Sequence, residues 1–272
     1  MLETEDRPTG HDPNANRRPP GHWLLVAAAV AVIAVVGALL IAAAGDDDEI
    51  QVPATTPTTA PARDMLAMQE TGVPEVEPGR YFIDPDGDDT TPLRVTYDIA
   101  AEGWGPWIGG LKNREGGHSS FSITTVTNVV RDGCTGQDPL APTVGPTVDD
   151  LATALTQLAP FQVAAAPTDV TLLGYPGKHL ELTVPDLKVT GDGNDTTRRF
   201  ADCEEGELRS WISPLLGGPF WGYNGLAGSS EEFWILDVEG TRLVLVQLTS
   251  PDTPAQDVAE RDAIFDSMQI EP

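Results

Sequence analysis

The chain has 272 residues, with 42 Asp or Glu against 16 Lys or Arg, and a formal net charge of −26. That balance excludes nucleic acid as a partner, because a phosphate backbone is bound through clustered Lys and Arg. It equally excludes docking on an anionic membrane through a basic patch, and two cysteines exclude a disulfide-rich miniprotein.

Residues 1–22 are rich in proline and charge and poor in large apolar groups, which predicts a disordered tail. Trp23–Ala44 is an uncharged apolar run of 22 residues. As a helix it would be about 33 Å long, the thickness of a bilayer core. Arg17 and Arg18 precede it, and Asp46, Asp47, Asp48 and Glu49 follow it. The positive-inside rule then places the N-terminus in the cytoplasm and the rest outside. A cleaved signal peptide is the rival reading, since Ala42, Ala43 and Ala44 have the small-residue form of a cleavage site. Secretory apolar cores are shorter, about 7–15 residues, and their flanks are less acidic. Residues 45–77 begin acidic and continue as a Thr/Pro tract, expected to form an extended linker.

Residues 78–272 are expected to form one globular domain. Leu93, Val95, Tyr97 and Ile99 alternate with polar residues, the period of a half-buried strand. Phe121–Val130 reads as one strand. Thr147-Val148-Asp149-Asp150 reads as the capping box of a helix carrying Leu151, Ala152, Leu155 and Leu158 inward. Val170–Leu173 and Lys178–Val184 flank Gly174-Tyr175-Pro176-Gly177 and predict a hairpin. Leu208–Ile212 is a further strand candidate. Phe233–Val238 and Thr241–Leu248 form a second hairpin across Glu239-Gly240. The last helix starts with Thr253 as N-cap and Pro254 as first helical residue, with Ala255, Val258, Ala259, Phe265 and Met268 on its buried stripe. Hairpins plus a few helices define an α+β class, a mainly antiparallel sheet with packed helices, preceded by one transmembrane helix.

Cys134 and Cys203 would both lie outside the cytoplasm, where disulfides persist, and they are expected to pair; two buried free thiols are the alternative. Asp84-Pro85-Asp86-Gly87-Asp88-Asp89 has the opening of a calcium loop, but Gly87 is misplaced and Val95 stands where the bidentate Glu belongs. Gly191-Asp192-Gly193-Asn194-Asp195 fits less well. Both read as solvated turns. Trp104, Trp107, Trp211, Phe220, Trp221 and Tyr223 offer either an aromatic platform for a ligand or a cap on the core, and the core is the expected place. His118 reads as a strand entry and His179 as a structural strand residue. The sequence contains no G-x-S-x-G elbow, H-E-x-x-H pair or P-loop lysine, so no catalytic, metal-binding or cofactor-binding residue is assigned.

The stretches GYPGKHLELTVPD (174–186), FWILDVEGTRLVLVQL (233–248) and PAQDVAERDAIFDSMQIEP (254–272) resemble a widespread set of actinobacterial single-pass membrane-anchored proteins. The hairpin, helix and short-strand ending is also similar to PsbP-like lipoprotein domains, which implies an α-β-α sandwich. The resemblance carries over no catalytic residue. The expectation is a single-pass protein held in the lipid bilayer through 23–44, with an acidic binding or structural domain at the cell envelope and no enzymatic activity. The alternative is an envelope hydrolase acting through carboxylates.

Overall fold

A computed structural model describes residues 61–88, 90–114, 117–191, 198–220 and 226–272. Of the two units into which the chain divides, Met1–Asp48 and Glu49–Pro272, only residues of the second are described. The first unit, and with it the predicted span 23–44, lies outside the described residues. Among the described residues no helix is long and apolar enough to cross a membrane.

The second unit opens with β1 (Arg63–Asp64), α1 (Met65–Thr71), β2 (Gly79–Ile83), β3 (Arg94–Ile99) and β4 (Gly105–Trp107). Then come β5 (Gly109–Arg114), β6 (Gly117–Thr125), β7 (Asn128–Asp132), β8 (Gly136–Pro139) and α2 (Val148–Thr156). The long hairpin β9 (Gln162–Leu172) and β10 (Tyr175–Thr183) follows, with short β11 (Val189–Thr190), β12 (Arg199–Phe200), β13 (Trp211–Ser213) and β14 (Gly218–Pro219). The chain closes with β15 (Ser230–Val238), β16 (Thr241–Thr249), α3 (Ala255–Asp266) and β17 (Gln269–Glu271). The main sheet has seven strands in the order β4-β5-β6-β16-β15-β10-β9, all antiparallel. The sheet β1-β2-β3-β17 is antiparallel except for the parallel pair β1–β2. The α+β class is therefore observed.

Both faces of the main sheet are covered. One face presents Leu180, Leu182, Phe233, Ile235, Val244 and Val246 to Leu151 and Leu155 of α2. The other presents Ile123, Leu236, Leu243 and Leu245 to Tyr97, Met65 and Ile264. Central strands buried on both sides need near-continuous apolar runs, which is why β15 and β16 read ILDV and LVLVQL rather than alternating. The β15–β16 turn takes Glu239 and Gly240 to positive φ, as a two-residue hairpin requires. The first hairpin turns one step earlier than expected, at Leu173 and Gly174, again both at positive φ, and Tyr175–Gly177 join the strand. The α2 capping box forms as predicted, with Thr147 and Asp150 bonding reciprocally.

Three boundaries differ from expectation. The globular part begins at Arg63, not at 78. Asp64 caps α1 through the backbone N–H groups of Leu66 and Ala67, and Met65 is fully buried, so part of the predicted linker belongs to the core. Phe121–Val130 is two strands, because Thr127 bonds to Ile212 of β13 and the chain leaves the main sheet after Thr125. The α3 cap is Pro254, without a side-chain bond. The Thr253 hydroxyl donates instead to the His118 carbonyl.

A candidate binding cleft beside the last helix

The inward stripe of α3 is Asp257, Glu260, Arg261 and Ile264, with Met268 just beyond the helix, whereas Ala255 is exposed. Charged residues thus occupy three of the four buried positions of a face expected to be apolar. The sheet beneath explains this. Strand register lines up His179, Trp234, Leu245 and Ile123 in one row, and Glu181, Glu232, Gln247 and Phe121 in the next. The following row is Thr183, Ser230, Thr249, Ser119 and Lys112. The face runs from apolar to polar, and α3 lies over it with the matching gradient.

At the polar end Lys112, 2 % exposed, ion-pairs with Glu260 and lies 3.4 Å from Asp257. Glu260 also accepts from Trp104 Nε1 at 3.3 Å and from Gln256 Nε2 at 3.0 Å. Arg261 donates to the Thr249 hydroxyl and to Asp262, 3.0 Å away. Lys112 serves both buried carboxylates, and the buried Arg261 pairs with the exposed Asp262. A buried charge needs such a partner, because its desolvation is otherwise uncompensated. This network fixes α3 on the sheet.

Between α3 and the β9–β10–β15 side of the sheet a cleft of ≈ 330 Å³ opens. Its walls are Leu172, Trp234 and Phe265, with Gln247 and Arg261 within and Glu232, Asp262 and Asp266 alongside. Trp234 touches Phe265 at 5.2 Å and His179 at 4.9 Å between ring centres. His179 Nε2 lies 2.7 Å from Glu232 Oε1. The volume is at the lower end for small-molecule sites, about 300–1,000 Å³, and five of the eight lining residues are polar or charged, more than such sites usually carry.

The residues singled out from sequence fall elsewhere. Cys134 and Cys203 form a disulfide with Cα atoms 4.4 Å apart. The neighbouring strands β7 and β13 pair through Trp211–Val129 and Ile212–Asn128, which brings the two loops together. Trp104, Trp211 and Phe220 are buried in the core, with Trp211 and Phe220 stacked at 4.6 Å and the Trp211 indole N–H donating to Glu231. Trp107 is half-buried, and Trp221 and Tyr223 lie outside the described residues.

In the 84–88 turn the carboxylates are already used. Asp84 takes a two-pronged bond from Arg94, Asp86 accepts from Thr91, and Asp88 accepts from Thr90, which holds Asp88 below its ordinary range. Asp89 and Asp192–Asp195 lie outside the described residues. Among the described residues no group of three or more His, Cys, Asp or Glu is placed to hold a metal. His118 opens β6 and bonds to Ser120, on the opposite face from His179.

Sequence reading missed the cleft. Its signals were Gln247 interrupting the apolar β16 run, and Asp257, Glu260, Arg261 and Ile264 recurring at helical spacing. Discounting charges as surface residues hid the second pattern.

The fold and site define an α+β domain of mainly antiparallel sheet with a small acidic cleft. No protein-family model matches the chain, and no curated protein matches it in sequence. Among solved structures it is similar to the crystal structure of LpqN involved in cell envelope biogenesis of Mycobacterium tuberculosis, at 12% identity and a TM-score of 0.30. That likeness covers 78% of this chain and 100% of that one, and at this score it carries no argument about function.

Proposed function

We propose that the chain is a single-pass surface protein whose acidic α+β domain stands outside the cytoplasm and binds a small ligand at the cell envelope. The observation that carries the reading is the Cys134–Cys203 bond, which fits an oxidising compartment. The uncharged run Trp23–Ala44 and its Arg17/Arg18 against Asp46–Glu49 asymmetry supply the anchor and its direction. Helices on both faces of one antiparallel sheet support the PsbP-like, α-β-α reading of the domain. The cleft beside α3 is the binding site, and its role is recognition rather than catalysis.

The test is a pair of reporters fused after Pro272, one active only outside the cytoplasm and one only inside. The outside reporter is expected to be active, on a protein that keeps residues 1–22. Activity of the inside reporter rejects the topology, and an N-terminus near Gly45 replaces the anchor with a cleaved signal.

A further inference from the structure

Resting on the binding reading of the cleft, we infer that its ligand is an organic cation, a primary amine carried on a short apolar stem. Three features of the cleft converge on this class. Leu172, Trp234 and Phe265 give an apolar wall for the stem. Glu232, Asp262 and Asp266 face the opening against one guanidinium, Arg261, which is bound by Thr249 and Asp262. The opening is therefore net negative, and aromatic rings beside it favour a cation further.

The third feature is independent of charge. Gln247 is 5 % exposed, lines the cleft and makes no side-chain hydrogen bond among the described residues. Its amide lines the cleft with its bonding capacity unused by the described residues. Gln247 lies directly opposite Glu232 across β15–β16. An ammonium group has three N–H donors and no acceptor, so it can bond the Gln247 carbonyl and the Glu232 carboxylate together. A carboxylate or phosphate ligand would meet three like charges. A neutral alcohol would gain no charge-assisted bond.

The experiment uses the full chain in lipid nanodiscs at near-physiological salt and three probes of one length: cadaverine, 1,5-pentanediol and glutarate. Calorimetry is expected to show cadaverine binding about tenfold or more tighter than pentanediol, with glutarate not binding. Glu232→Gln and Gln247→Leu should each weaken cadaverine about tenfold. Asp266→Asn should weaken it too, and this variant cannot act through misfolding, because Asp266 is exposed and makes no ion pair among the described residues. Asp138→Asn, on the distant strand β8, should change nothing. Equal affinity for cadaverine and pentanediol overturns the ligand class while leaving the cleft a binding site. Loss of affinity in Asp138→Asn equal to that in Glu232→Gln reduces the effect to overall charge and overturns the inference. So does the absence of cadaverine binding, which leaves the proposed topology to its own reporter test.

Discussion

Lys112 is one of three lysines in the chain and is almost completely buried. Its ammonium is what allows Asp257 and Glu260 to lie on the inner face of α3. Lys112→Met keeps the volume and removes the ammonium that both buried carboxylates share, so it should cost about 3–5 kcal/mol in urea unfolding. A loss below about 1 kcal/mol would mean that water already reaches the site. Cys203→Ser opens a loop of sequence separation 69 and should lower stability by up to about 4 kcal/mol in the chain-entropy account. Thiol labelling of denatured protein, with and without reductant, checks the bond, and two free thiols without reductant would reject it. Asp150 gives a pH signature. Bonds from the Thr147 hydroxyl and backbone N–H favour its charged form and hold it below its ordinary range. A depressed folded value means that its contribution is complete above the unfolded carboxylate pKa, about 3.9, and is lost as pH falls through the folded value. The unfolding midpoint should therefore drop more steeply in wild type than in Asp150→Asn below about pH 4. Parallel curves would remove the capping role.

At the scale of elements, α1 is the part of the fold that composition concealed. The segment Met65–Thr71 follows a Thr/Pro tract, and its seven residues are too few to show a helical period. Its local signals were present nonetheless, with Asp64 at the N-cap and Gly72 at positive φ after the last turn. Met65 is fully buried against the β2–β3 side of the core, so Met65→Ala should cost about 2–5 kcal/mol by thermal or urea unfolding. No measurable loss would return residues 63–77 to the linker. The hairpins were legible because a two-residue turn and a period of two are local properties. The helix α2 was legible because its capping box and apolar stripe agree. The inner face of α3 was not, since Asp257, Glu260 and Arg261 are buried against Lys112 and Thr249, which arrive from β5 and β16. The cleft was hidden for the same reason. Glu232, Gln247 and Phe265 come from three elements, and the register that sets Glu232 opposite Gln247 is fixed by the whole sheet rather than by either strand.

For the whole molecule, an excess of 42 acidic over 16 basic side chains keeps the surface soluble and repels anionic partners. The same excess is compatible with a domain that draws small cations toward one cleft. The proposed location outside the cytoplasm joins the sequence run 23–44 to the Cys134–Cys203 bond. It is tested most directly in intact cells with a membrane-impermeant maleimide. The native cysteines are paired, so a single new thiol reports its own side of the membrane. Asp266→Cys, exposed at the rim of the cleft, should label without lysis, whereas Thr9→Cys in the tail should label only after lysis. Labelling of Asp266→Cys only after lysis would contradict the account.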